Sequence, residues 1–138
     1  MPEAPASHAD LLEKPLFAHL ATVRPNGAPQ SSVMWFAWDG SRIRMTHTST
    51  RQKFANLAHD PRVAMSIADP DDQYRTLEVR GAVESIEKDV NGAEFYRSLQ
   101  HRYGMDYPVS DADVRVVITI RPDRFIAVRN GAVVGVEI

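Results

Sequence analysis

Cysteine is absent from the 138 residues. Disulfides, thiolate metal sites and cysteine nucleophiles are excluded with it. Lysine is scarce, at 3 against 13 arginines, a bias that usually reflects a GC-rich genome rather than chemistry. No excess of positive charge exists either: 16 Lys and Arg against 18 Asp and Glu leave a net charge of −2. Affinity for a polyanion rests on such an excess, so nucleic acid is not an expected partner. No run of 18 apolar residues occurs, so neither a transmembrane helix nor a membrane partner is expected. The opening MPEAPASHADLLEK lacks a basic segment followed by an apolar one. No signal peptide is read there, and a cytoplasmic location is the expectation. The five histidines, at 8, 19, 47, 59 and 101, show no metal-ligand spacing, so no metal is expected. There is no G-x-G-x-x-G, no phosphate loop and no G-x-S-x-G around Ser31 and Ser32.

What is present is an ordinary folded composition, 43% hydrophobic and 25% charged. The length suits one domain over 1–138, with residues 1–8 expected to be loose. Ser7 and Asp10 resemble a capping box that opens a short helix through Leu11 and Leu12, limited by Pro15. Residues 17–24 read as a strand, Asn26-Gly27 as a hairpin turn, and 28–38 as the returning strand. Asp39-Gly40 turns into a third strand over 42–47. Thr50 then opens a helix over 51–58, with Phe54, Leu57 and Ala58 as its apolar face, stopped by Asp60-Pro61. Strands follow over 62–68 and 74–86, the latter with Leu77, Val79 and Gly81 on one face and a bulge expected at Gly81. A helix from Asp89 to about Tyr103 is capped by Gly104. A strand over 114–120 is broken at Pro122 and continues, as strand or extended arm, over 124–129. Six to seven antiparallel strands with a few short helices predict a mainly β fold, a small barrel.

The stretch Thr46-His47-Thr48-Ser49-Thr50-Arg51-Gln52-Lys53 carries the most chemistry. The start of a helix is partly positive and favours Asp and Glu in its first turn. Here the first turn carries Arg51 and Lys53 instead, a placement that makes sense if an anion sits there. A phosphate would gain from the helix N–H groups, the Thr48 and Ser49 hydroxyls, Arg51 and Lys53 together. The competing reading is that both cations face solvent. On the strand before it, alternation puts Gln30, Ser32 and Met34 on one face and Ser31, Val33 and Trp35 on the other. Such a face suits either a flat heterocycle or plain solvent. His47 lies beside the phosphate candidate, whereas Glu78 and Glu84 do not make a convincing acid/base pair.

These residues also carry a resemblance. HLATVRPNGAPQSSVMWFAWDG, RIRMTHTSTRQKFANLAHDPRVAMSI and YRTLEVRGAVESI together resemble the pyridoxamine-phosphate-oxidase-like split β-barrel superfamily over roughly residues 10–128. The run from Thr48 to Leu57 is similar to the T-x-R-x-K-x-x-N-L pattern, one residue wider at its start. With Asp60-Pro61-Arg62-Val63 it resembles the flavin and deazaflavin oxidoreductase branch that uses coenzyme F-420. The resemblance implies an FMN-binding-like split barrel and a homodimer with cofactor sites at the interface. It implies hydride transfer from reduced coenzyme F-420 to a small-molecule acceptor, and names no catalytic side chain. The implied cofactor-binding residues are Arg51, Lys53 and Asn56 at the phosphate, with Thr48, Ser49 and Thr50 at the helix start. Gln30, Ser31, Ser32 and Val33 would run along the ring, and Tyr74 and Arg75 would arrive from the partner subunit to close the pocket.

Two alternatives stay open. An FMN-dependent oxidase or reductase of the same fold could use Arg42 and Arg44 on the third strand. A non-catalytic flavin or haem binding protein could use His8, His47 or His101 as an iron ligand. A polyglutamate tail on the deazaflavin would want basic surroundings, which Arg24, Arg75 and Arg80 would supply if they face the groove. Dimerisation is expected because Val33, Trp35 and Val79 would otherwise leave apolar strand faces uncovered.

Overall fold

The computed structural model describes residues 1–137. Along the chain lie α1 (Asp10–Glu13), β1 (Ala18–Val23), β2 (Pro29–Met34), β3 (Ala37–Trp38), β4 (Ile43–Thr48), α2 (Gln52–His59), β5 (Arg62–Asp69), β6 (Asp72–Lys88), α3 (Glu94–Arg102), β7 (Arg115–Arg129) and β8 (Ala132–Glu137). All pairings are antiparallel, in the order β2-β1-β5-β6-β7-β4-β3, with β8 also on β7.

Two long strands divide this sheet. The first half of β6 pairs β5 on one side and the second half of β7 on the other. The second half of β6 pairs the first half of β7, which also pairs β4. Two half-sheets therefore share β6 and β7, the arrangement of a split barrel. Register shifts at Arg80/Gly81 and Val83/Ser85 bend the shared pair. At the first, a Cβ on Gly81 would lie 2.2 Å from the Arg121 carbonyl oxygen, so the backbones approach only because residue 81 is glycine.

That bulge corrects one expectation. Pro122 does not break β7; it pairs with Gly81 where the ladder is already irregular, so its missing N–H costs little. The strand count rises to eight because Asn130 and Gly131, at φ 52° and 78°, turn the chain into β8.

Residues 28–38 do not form one strand. The chain leaves β2 at Trp35 and crosses to the other half-sheet as β3. Phe36 sits at this crossing, fully buried. Its N–H donates to Tyr103 Oη (3.0 Å), and its carbonyl accepts from Arg102 Nε (2.9 Å). Trp35 stacks on Tyr103 with centroids 4.8 Å apart. Backbone groups satisfied by α3 side chains no longer need a ladder partner.

The helices differ from expectation at their starts. Ser7 does not cap α1; its Oγ pairs with His8 Nδ1 (2.8 Å). His8 is buried and its Nε2 meets the Val128 carbonyl (3.0 Å), so the segment expected to be loose is fixed at its end. Arg51, not Thr50, is the N-cap of α2, and its buried face is Lys53, Asn56 and Leu57, with Ala58 exposed. Asp89 lies ahead of α3 and its carboxylate accepts the Phe95 and Tyr96 N–H groups (2.9 and 3.0 Å). Gly104, at φ 72°, ends α3 as expected.

The core lies between the half-sheets, built from Leu20, Ile43, Met45, Met65, Ile67, Leu77, Val79, Ile118, Ile120 and Phe125. Val79 is therefore not part of an uncovered face; it is fully buried within the chain. Among the described residues, no helix is long and apolar enough to cross a membrane.

Candidate functional site

A cleft of about 350 Å³ opens where β2, β4, the start of α2, α3 and the start of β7 meet. β2 contributes Ser32, Val33 and Met34, and Trp35 follows them. β4 contributes Thr46 and His47, and α2 contributes Lys53 behind its N-cap Arg51. Tyr96, Tyr107 and Arg115 close the far side. Lys53, Arg51 and Arg115 are its cations, and among the described residues no carboxylate lines it.

Lys53 decides what the cleft can do. The residue is 6% exposed, and its Nζ finds only the Met34 sulfur, at 2.9 Å. A thioether is a weak acceptor and cannot neutralise an ammonium. Burial, and then the nearby Arg51, pull the Lys53 pKa down to about 8. Buried charges in folded proteins are ordinarily paired, and this one has no carboxylate beside it among the described residues. α2 begins with no acid in its first turn and no side-chain cap, which leaves the positive end of the helix uncompensated there.

His47 lies beside it, 8% exposed. Burial first, then Lys53, Arg51 and Arg115, lower its pKa to about 4, so the ring is neutral at pH 7. Five buried side-chain polar atoms among the described residues have no hydrogen-bond partner, and three of them border this cleft: Ser32 Oγ, Thr46 Oγ1 and His47 Nε2. An unmet buried polar group costs roughly 1–3 kcal/mol, and grouping three of them in one cleft marks a place where a polar ligand completes the set.

The opposite wall is held rigidly. Tyr96 Oη donates to Tyr107 Oη (3.1 Å), and the Tyr107 N–H donates to Gln100 Oε1 (2.9 Å). The Arg115 guanidinium lies 3.9 Å from the Tyr96 ring centroid, and its Nε donates to Asp111 (3.0 Å). Sequence reasoning missed Thr46, Tyr96, Tyr107 and Arg115 as site residues. Arg115 reaches the cleft because it pairs across from Thr48, a register that only the folded sheet defines.

The residues expected at the site divide into groups. Ser32, Val33, Arg51 and Lys53 line the cleft together. Gln30 and Asn56 stand behind it: Asn56 Nδ2 donates to Gln30 Oε1 (2.9 Å) and Thr22 Oγ1 (3.2 Å), tying α2 to β1 and β2. Ser31 points to the exposed face of β2. Thr48 is buried and accepts from Thr50 Oγ1 (3.4 Å), while Ser49 borders a separate hollow with Phe54 and Val116. None of these four hydroxyl residues, Ser31, Thr48, Ser49 and Thr50, lines the cleft.

Tyr74 and Arg75 lie elsewhere on the chain. Tyr74 is 73% exposed. Arg75 is committed within its own chain, to Asp10, to Asp69 (3.0 Å) and to the Ser7 carbonyl (2.7 Å), so its charge is not free for a ligand. Arg24 meets Gln30, Arg80 meets Glu78, and neither lines the cleft. Arg42 is paired with Glu84 (2.7 Å) and Arg44 with Asp39. His8 is occupied by Val128 and offers no iron ligand. A larger hollow of about 530 Å³ under α3 is lined by Glu84, Glu87, Asp89 and Glu94 as well as Arg44 and Lys88. Its acidic lining does not suit an anion.

A family model described as pyridoxamine 5′-phosphate oxidase matches residues 4–129. A solved F420 reductase is 52% identical over 88% of this chain and 98% of its own, with a TM-score of 0.85. A conserved hypothetical protein from Mycobacterium tuberculosis is 26% identical over 92% of this chain and 85% of its own, with a TM-score of 0.73. The Group A Streptococcus protein HupZ, 18% identical over 96% of this chain and 99% of its own with a TM-score of 0.69, shares the fold. No curated protein matches the chain.

Proposed function

Since this chain belongs to the pyridoxamine 5′-phosphate oxidase family, we propose that it is an oxidoreductase whose basic cleft holds the phosphate-bearing arm of coenzyme F-420. The reaction is hydride transfer from the reduced deazaflavin to a small organic acceptor. The single observation that carries this reading is Lys53, a buried ammonium with no carboxylate, beside Arg51 and Arg115. The 52% identity to the F420 reductase favours this cofactor over others.

The residues present fit such a group. Lys53 and Arg51 supply charge-assisted donors to a phosphate. Ser32, Thr46 and His47 supply polar atoms that the chain itself leaves unmet. Once bound, the cofactor brings the redox chemistry, and the protein supplies placement, electrostatics and exclusion of water. Asn56 acts as a positioning residue, fixing α2 and so Lys53 against β1 and β2. Trp35, Val33 and Met34 give the cleft an apolar side along which a flat ring can lie.

FMN is the second reading, favoured by the family itself and by a phosphate arm that the same cations would hold. Against it stands the commitment of Arg42 and Arg44 to Glu84 and Asp39. A second copy of the chain completes the site, covering Val33 and Tyr74, which are exposed in one copy. Light scattering at micromolar concentration is expected to give the mass of a dimer, and a monomer would contradict the shared site. Titration of the purified protein with coenzyme F-420, followed by fluorescence, tests the cofactor; micromolar or tighter binding supports the reading.

A further inference from the structure

His47 has no evident structural task. Its ring is buried on β4, yet Nε2 meets no donor or acceptor among the described residues. The charged and titratable groups that share the cleft are Arg51 and Lys53 at the start of α2, Arg115 from β7, Tyr96 from α3 and Tyr107 from the segment after it. Asp111, which does not line the cleft, accepts from the Arg115 guanidinium (3.0 Å). Three cations and a dry environment all disfavour an imidazolium. An anion entering the same space reverses the local field and gives the ring nitrogen a partner.

We propose that His47 takes up one proton from solvent as a phosphate-bearing ligand enters the cleft, and then donates from Nε2 to that ligand. The inference rests on the reading of the cleft as a phosphate site. Without the anion, burial and then Lys53, Arg51 and Arg115 hold the ring at a pKa of about 4. With the anion, the two protonation states exchange preference and affinity becomes coupled to pH. Affinity for a phosphate diester, whose own charge is constant across this range, rises as the pH falls from 7 towards 5. The limit for one proton is about tenfold per pH unit. Lys53 does not contribute to this window, because with a pKa of about 8 it is already charged at pH 6.

Isothermal titration at pH 6 with coenzyme F-420, whose phosphate is a diester, tests the proposal. The heat is measured in two buffers of different ionisation enthalpy, which gives the number of protons taken up. A clear fractional uptake in the wild-type protein, lost in His47→Gln, is the expected result. Binding with no uptake, or with uptake unchanged in His47→Gln, overturns this proposal and leaves the cleft reading intact. No binding of either coenzyme F-420 or FMN overturns both. Imidazole NMR of the unsubstituted protein guards against a variant that does not fold: one histidine is expected to move from neutral to charged on adding ligand at pH 6. Five unshifted histidines would contradict the proposal.

Discussion

Arg75 and Lys53 are both largely buried cations, and the chain treats them in opposite ways. Arg75 sits in a corner made by α1, the end of β5 and the start of β6, where Asp10 and Asp69 flank it and the Ser7 carbonyl accepts from it. Both terminal guanidinium nitrogens have partners, and the result is a clamp between the N-terminal segment and the sheet. Lys53 sits in the cleft with a sulfur atom for company. One region spends its charge on the fold; the other leaves its charge without a carboxylate among the described residues. A cation therefore says little about function until its partners are counted, a lesson that Arg42, Arg44, Arg62, Arg80 and Arg121 repeat nearer the surface, each with its own carboxylate.

Breaking the clamp should have the largest effect. Arg75→Met leaves Asp10 and Asp69 without their main counter-charge and unties the N-terminal segment from the sheet, at a corner that water reaches. Urea denaturation is expected to show a clear loss of stability with affinity for the cofactor unchanged. A stable variant that binds poorly would place Arg75 in the site and erase the contrast.

Lys53→Ala should do the reverse. Cofactor affinity is expected to fall by about 1.5–3 kcal/mol, the scale of a charge-assisted hydrogen bond, while the fold persists by circular dichroism. Unchanged affinity would remove the phosphate role of Lys53.

The next contrast is with acid. The folded-state pKa of His47, about 4, lies below its ordinary 6.5. The unfolded chain therefore binds the proton first, and stability present above pH 6.5 is lost as the pH falls to about 4. About 2 kcal/mol of the acid loss is expected to vanish in His47→Gln, measured as the difference in unfolding free energy between pH 7 and 4.5. An identical acid loss in both proteins would show that His47 is not held neutral.

The smallest effect sharpens the same point. Lys53→Met removes an unpaired buried charge and should stabilise the ligand-free protein by about 1 kcal/mol at pH 7. Because the Lys53 pKa is lowered from 10.5 to about 8, the cost of its charge is complete below pH 8 and relieved between pH 8 and 10.5. The advantage of the variant is therefore expected to shrink across that window. A constant advantage would assign it to packing instead.

The sequence made parts of this legible and hid others for physical reasons. Strand periods, Asn26-Gly27, Asp39-Gly40 and the Gly81 bulge are local signals, and the β1–β2 and β3–β4 hairpins and the bend of β6 follow from them. Arg51 and Lys53 stood out because they occupy the wrong end of a helix. The break at Phe36 was hidden because Tyr103 and Arg102, which make it possible, lie 67 and 66 residues away. Pro122 misled because its ladder position depends on Gly81 of another strand. Arg115, Tyr96 and Tyr107 join the cleft through register and through the anchoring of Tyr107 by Gln100, neither of which a motif records. Only the resemblance points to Arg75 at the pocket, while its pairing with Asp10, 65 residues away, depends on the fold and is recorded by no motif.

The measurement closest to the central claim is a side-by-side fluorescence titration of the wild-type protein and Lys53→Ala with coenzyme F-420 and with FMN. Coenzyme F-420 is expected to bind the wild type at micromolar concentration or tighter and more strongly than FMN. The variant is expected to lose roughly ten- to a hundredfold in affinity. Preferential binding of FMN, or coenzyme F-420 affinity untouched by the loss of Lys53, would contradict the account.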